Sequence, residues 1–180
     1  MRKMLSLILA AVFSLTACSE AGGSQEAAVV QEPAATASSS GEAIESYTVT
    51  DVRGKEIAFD AVPERVATVG KPFPSLYYAI EGATDHIVGC NPSSIKAYNE
   101  SVLWYMYPQL ENAVTDWCNT DSTVNIEELL KLRPDVVFIY STDDQEIEKI
   151  EDAGIKVVAL RSAELDSVKE NLQIIAAVCQ

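Results

Sequence analysis

Lys71, Trp117, Cys118, Asn119, Tyr140, Ser141 and the pair Asp143-Asp144 are the side chains whose types and positions offer chemistry. Cys118 beside Asn119 suggests a thiol nucleophile, yet no histidine lies nearby, and His86 is the only one in the chain. A single imidazole removes most metal sites and most acid–base arrangements. The sequence has no Gly-rich phosphate loop of the P-loop or dinucleotide type and no G-x-S-x-G elbow. Asp143-Asp144 reads as negative charge at the start of a helix, and His86 as part of the turn before a strand. What remains is binding chemistry. Gly70 to Ser75, Asn91 to Ser94, Asp116 to Thr120 and Tyr140 to Asp144 supply a cation, hydroxyls, amides and aromatic faces. That is the donor set of a small-molecule cleft. Any one of these residues alone reads as an ordinary turn; the set favours binding.

The elements that would position these loops follow from the apolar pattern. Tyr47-Thr-Val-Thr-Asp-Val and Glu56-Ile-Ala-Phe alternate around Arg53-Gly54-Lys55 and predict a hairpin. Arg65 to Val69 is a short strand stopped by Gly70, and Pro74 opens a helix with Leu76, Tyr77 and Ile80 on one side and Gly82 at its end. Ile87 to Cys90 is a second strand. Ile95 to Tyr107 has Val102, Leu103 and Met106 at helical spacing, and Pro108 ends it. Asn125 reads as a helix N-cap with Glu128 as its reciprocal partner and Leu129, Leu130 and Leu132 as core residues. Asp135 to Tyr140 is apolar on both faces and therefore central in a covered sheet. Thr142 to Ala153 is an amphipathic helix carried by Ile147 and Ile150, with Gly154 at its left-handed end. Lys156 to Leu160 is another strand, and Leu165, Val168, Leu172 and Ile175 mark a last helix to about Cys179. Strands alternating with helices predict an α/β domain, a parallel sheet flanked by helices and preceded by a β-hairpin.

The amino terminus addresses the location. Arg2 and Lys3 precede a short apolar run, and Leu15-Thr16-Ala17 leads into Cys18, the pattern of a secretory leader too short to span a bilayer. A cysteine there resembles the lipobox of bacterial lipoproteins, which predicts cleavage after residue 17 and lipidation of Cys18. Residues 18–46 are mostly Ala, Ser, Glu, Gly and Gln and read as a flexible, lipid-anchored linker. The folded domain is expected over 47–180, about 134 residues, enough for one core. The formal charge of −14 becomes −16 without Arg2 and Lys3, which disfavours nucleic acid and anionic lipid headgroups. Beyond Cys18 only Cys90, Cys118 and Cys179 occur, so at most one disulfide is possible among them.

PERVATVG, IVG, VNIEELLKLRPDVVFIYS and AGIKVVAL, in this order, look like the N-terminal lobe of ABC-transporter substrate-binding proteins for iron–siderophore complexes, haem or cobalamin. YTVTDVRGKEIAFDAVPERV is similar to the opening hairpin of that family, so the resemblance runs from about Tyr47 to the end of the chain. Its most specific piece is N-x-E-x-(L/I)-x-x-L-x-P-D-(V/L)-(V/I), here Asn125 to Val137. The resemblance implies two Rossmann-like lobes holding ligand between them, with Lys71, Pro72, Phe73, Trp117, Asn119, Tyr140 and Ser141 facing it. It also implies that Glu127 docks onto an arginine of the permease; read from the residues alone, Glu127 is a first-turn acid at the positive end of a helix. Family members are roughly twice as long, so one lobe is expected here, with the second absent and the chain apparently truncated.

Three readings follow. The first is a lipid-anchored, extracytoplasmic binding component that delivers a ferric siderophore, haem or cobalamin to an ABC permease and its ATPase, with no intrinsic cofactor, no resident metal and no covalent chemistry. Few cations line its loops (Lys71, with Lys96 and Arg161 nearby), against a highly anionic siderophore, while Phe73, Trp117 and Tyr140 suit a ring-bearing ligand. The second is a surface lipoprotein whose single lobe binds a protein partner. The third is an extracytoplasmic enzyme using Cys118.

Overall fold

Val136–Tyr140, the most apolar strand expected, lies inside a four-stranded parallel sheet in a computed structural model that describes residues 46–162 and 164–180. The expected leader, Cys18 and nearly all of the linker fall outside the described residues. Two strands open the fold, β1 (Tyr47–Thr50) and β2 (Glu56–Phe59), paired as an antiparallel hairpin. Then come β3 (Val66–Thr68), α1 (Phe73–Glu81), β4 (Ile87–Cys90), α2 (Pro92–Asn99), α3 (Leu103–Met106) and a 3-10 turn at Pro108–Asn112. The chain continues through α4 (Ile126–Leu132), β5 (Val136–Tyr140), α5 (Asp144–Asp152), β6 (Lys156–Leu160) and α6 (Leu165–Cys179). The sheet order is β4-β3-β5-β6, every neighbouring pair parallel. Among the described residues no helix is long and apolar enough to cross a membrane.

Period-two alternation along these strands splits the core in two. Val66, Val136, Phe138, Val158 and Leu160 face α1, α6 and the hairpin, where they meet Phe73, Tyr77, Ile175 and Val178. Ala67, Val137, Ile139, Val157 and Ala159 face the other way, toward Trp117, Leu129, Ile147 and Ile150. Each such side chain taken fully out of water contributes about 1.5–3 kcal/mol. Apolar residues on both faces of a strand therefore require helices on both sides, as expected from the sequence.

Helix ends follow local chemistry, with departures from expectation. Asn91 caps α2 by accepting from the Ser93 N–H at 2.8 Å. The single helix expected over Ile95–Tyr107 is broken between α2 and α3, where the Ser101 hydroxyl accepts from the Leu103 N–H and starts a new turn. Asn125 caps α4 through the Glu128 N–H, but the expected reciprocal bond is absent. Glu128 turns to Lys131 at 2.6 Å, and the Asn125 N–H goes instead to the Trp117 carbonyl. Leu130, expected in the core, is exposed. Helix α5 ends in a Schellman arrangement: Gly154, left-handed at φ 81°, donates to Glu151 O, and Ile155 donates to Ile150 O.

Two polar clamps fasten the motif segments. The Asp135 carboxylate accepts the backbone N–H groups of Glu64 and Arg65 at 2.9 Å, while the Arg65 guanidinium donates to the carbonyls of Leu132 and Arg133 at the end of α4. A cation on those orphan carbonyls complements the helix dipole. In the hairpin turn the buried Asp51 carboxylate accepts from the N–H groups of Arg53, Lys55 and, across the fold, Ala159 at 3.1 Å. The Arg53 guanidinium grips the same carboxylate at 2.7 Å and reaches Glu151 at 3.1 Å.

Removing the Asp51 carboxylate orphans several donors at once, so Asp51→Ala should lower the unfolding free energy by about 3 kcal/mol, read by urea denaturation. Burial works against ionisation of Glu151, but hydrogen bonds from Lys55 and Arg53 hold its carboxyl below the ordinary 4.5. A lowered folded-state value means that its stabilisation is complete above that pH and lost as pH falls through the folded value. Acid titration of Glu151→Gln should therefore show a shallower loss of stability below about pH 4.5 than wild type.

Candidate functional site

The connections leave the sheet in opposite directions on either side of one gap. From β3 the chain turns through α1 to β4; from β5 it turns through α5 to β6 on the other flank. The switch point thus lies between the carboxyl ends of β3 and β5, where open α/β sheets form their ligand crevice. The two strands stay paired up to that point, the Val69 N–H donating to Phe138 O at 2.8 Å. Lys71 and Pro72 leave β3 on one side of the crevice, and Ser141 to Asp143 leave β5 on the other.

Lys71 is exposed, and its carbonyl accepts from the Ser94 hydroxyl at 3.0 Å, which fixes the loop to the first turn of α2. Pro72 is half-buried. Tyr140 and Ser141 are half-buried at the crevice, with the Ser141 N–H bonded to Leu160 O. Burial, then the nearby Asp143, raise the Tyr140 phenol above its ordinary value, so it stays a neutral donor. Asn119 is exposed on a small loop closed by its N–H to Thr123 O, and the Asn91 amide ties that loop to α2 through Asn119 O at 3.0 Å.

Phe73 and Trp117 stand elsewhere than the sequence suggested. Both rings are fully buried and present no surface to a ligand here. Phe73 packs on Tyr140 with ring centroids 4.8 Å apart and lies under Gly70, where a Cβ would come within 2.4 Å of its ring. Trp117 lies across β4, where a Cβ on Gly89 would meet its indole nitrogen at 2.5 Å, and that nitrogen donates to Val114 O at 3.1 Å. Both aromatics are packing residues: Phe73 supports Tyr140 from below, and Trp117 covers β4. Gly89, a glycine inside an apolar strand, was the available sign that a bulky ring approaches it closely.

The sequence reading also missed two features. One is a groove of about 440 Å³ beside the β5 end, lined by Asp121, Ser122, Thr142, Asp143, Asp144 and Glu146. Burial and then Glu146 raise the Asp143 carboxyl above its usual range, while hydrogen bonds from Thr123 lower that of Asp121. The other is a cavity of about 180 Å³ on the β3 side, walled by Lys71, Pro72, Ser94, Leu103 and Tyr107 among others. The crevice is therefore polarised, acidic on the β5 side and cationic at Lys71.

A nucleophilic role for Cys118 is not supported by its surroundings. Cys90, Cys118 and Cys179 are buried and unpaired, and burial pushes all three thiols up to about 12. Among the described residues no cluster of three or more His, Cys, Asp or Glu side chains is arranged to hold a metal. Glu127, in the first turn of α4, is exposed.

An open parallel sheet with a polarised crevice at its switch point is the architecture of a small-molecule binding lobe. The periplasmic binding protein family pattern matches residues 73–180, more than half of the chain, and the chain belongs to that family. Among solved structures, a periplasmic solute binding protein from Veillonella parvula DSM 2008 is 30% identical with a TM-score of 0.71 over 74% of this chain and 41% of that one. The molybdate periplasmic binding protein MolA of Haemophilus influenzae, with molybdate bound, is 25% identical with a TM-score of 0.57 over 73% and 46%. The haem-binding protein HmuT, 24% identical with a TM-score of 0.54 over 73% and 40%, shares the fold. The chain spans less than half the length of each of these structures. A search of curated proteins gives no match.

Two outcomes test this geometry. Trp117→Ala empties a fully buried site and should cost about 3–5 kcal/mol of stability in a denaturant titration. Cys90, Cys118 and Cys179 should stay unmodified by a thiol reagent at pH 8 until the domain is unfolded, read by peptide mass mapping.

Proposed function

We propose that this chain is the N-terminal lobe of a lipid-anchored, extracytoplasmic substrate-binding component of an ABC importer, carrying a metal complex such as a ferric siderophore, haem or cobalamin. The observation that carries the reading is the crevice between β3 and β5, with Lys71, Pro72, Tyr140, Ser141 and Asn119 at its rim, in a chain of the periplasmic binding protein family. That family implies a location outside the cytoplasm. Cys18, behind its short apolar leader, is the proposed lipid attachment. Binding is reversible and uses no covalent step, in keeping with buried thiols and a lone histidine.

Transport requires a second contact, to the permease. Glu127 is the proposed docking carboxylate: it is exposed, and α4 is held at its far end by Arg65. A rim of exposed and half-buried groups leaves a ligand partly solvated, so affinity for this lobe alone is expected to be modest. In a reconstituted importer, Glu127→Arg should abolish receptor-stimulated ATP hydrolysis while calorimetric ligand affinity stays at the wild-type value. Stimulation that survives the charge reversal removes the docking assignment.

A further inference from the structure

Asp143 stands at the cap position of α5, yet its carboxylate accepts no N–H of the first turn. Only its carbonyl serves there, taking the Glu146 and Ile147 N–H groups at 3.0 Å. The carboxylate turns instead toward the 118–124 loop, where the Ser122 hydroxyl reaches it. That loop is closed like a small hairpin, with the Asn119 N–H on Thr123 O at 2.9 Å and a bridge between Cys118 and Val124. Ser122 near its tip is left-handed at φ 73°, a conformation disfavoured for any residue with a Cβ.

Glu146 ties the same loop to α5. Its Oε2 accepts the Val124 N–H at 2.9 Å, and its Oε1 accepts from Lys149 at 2.6 Å. With both oxygens committed, Glu146 meets Asp143 as a like charge. Asp143 Oδ2 is shut off from solvent and, among the described residues, has no hydrogen-bond partner. A carboxylate oxygen so placed is costly when charged and far less so when protonated. The other groups around it give little relief. Asp144 on α5 and Asp121 on the loop are acidic, and Lys149 is held by Glu146. The Tyr140 phenol and the Cys118 thiol, both raised by burial, stay neutral.

We propose that Asp143 and Glu146 work as a proton-operated latch between α5 and the 118–124 loop, loosened when Asp143 is charged and tightened when it carries a proton. Asn119 stands on that loop, and Tyr140 and Ser141 lead into Asp143, so the latch sets how firmly two segments of the crevice rim are joined. Burial first and Glu146 second hold the Asp143 carboxyl above its ordinary 3.8. The tightening is therefore complete below 3.8 and lost as pH rises through the higher folded-state value. This device operates whatever the crevice binds.

Amide hydrogen exchange reads the latch directly, because the Val124 N–H is bonded to Glu146 and the Asn119 N–H closes the loop. Protection factors, which remove the intrinsic pH dependence of exchange, are measured from pH 7 to pH 4.5. In wild type both amides should gain about 3- to 10-fold protection toward pH 4.5, relative to the amides of β5. Asp143→Asn cannot ionise and should be well protected at both ends of the range. Glu146→Gln keeps an acceptor for Val124 but removes the like charge, and should flatten the profile too. Glu148→Gln, on an exposed carboxylate of the same helix, should follow wild type. Protection independent of pH in wild type overturns the latch, as does a pH dependence that persists in folded Asp143→Asn.

Discussion

The fold is organised around the need to cover β5 on both faces. Val136, Val137, Phe138 and Ile139 are all fully buried, and their side chains alternate between two separate cores. A strand of this kind forms stably only when helices lie above and below it, and crossovers of helical length make its neighbours parallel. Aromatics packed on the two faces of the sheet then become structural. Phe73 and Tyr77 close one core beside Phe138, and Trp117 closes the other above β4. With these rings committed to packing, the side chains left at the rim of the crevice are polar: Lys71, Asn119 and Ser141.

Much of this architecture was legible in the sequence for a simple reason. Strands apolar on both faces, helices with caps and short connections between them admit few arrangements, and the order of elements selects one. Segments that resemble the family acquire separate physical roles in the structure. Asp135 and Arg65 lie far apart in sequence, yet each satisfies backbone groups of the other's segment, which accounts for both PERV and RPDVV. Glu127 sits at the opposite end of the helix that this clamp secures.

The site was less legible because residue type does not reveal which way a loop side chain turns. Phe73 followed a strand and Trp117 lay in an irregular polar segment, and the family resemblance implied that both face ligand, but both rings pack inward against Gly70 and Gly89. Trp104 and Tyr105 carried no expectation from the sequence. A continuous helix over Ile95–Tyr107 would have assigned Leu103 and Met106 to the core, whereas the break at Glu100-Ser101 turns a short aromatic segment toward solvent. A run reading Leu-Trp-Tyr-Met-Tyr cannot bury every member against one surface, and that crowding was the sign available from the sequence.

The clamp at Asp51 has a consequence for how the domain behaves in solution. Strand β6 is one of the two outermost strands of the sheet, and an outermost strand offers free backbone groups to any other chain. Here the Asp51 carboxylate occupies the Ala159 N–H, and the Val52 N–H is directed at the Ala159 carbonyl, so the hairpin turn sits across part of that row. Lys156 adds a positive charge at the strand's beginning, over the Phe59 ring. The opening hairpin therefore covers part of the edge that would otherwise be open to pairing. Its detachment would uncover the Ala159 N–H and carbonyl as a template for another strand.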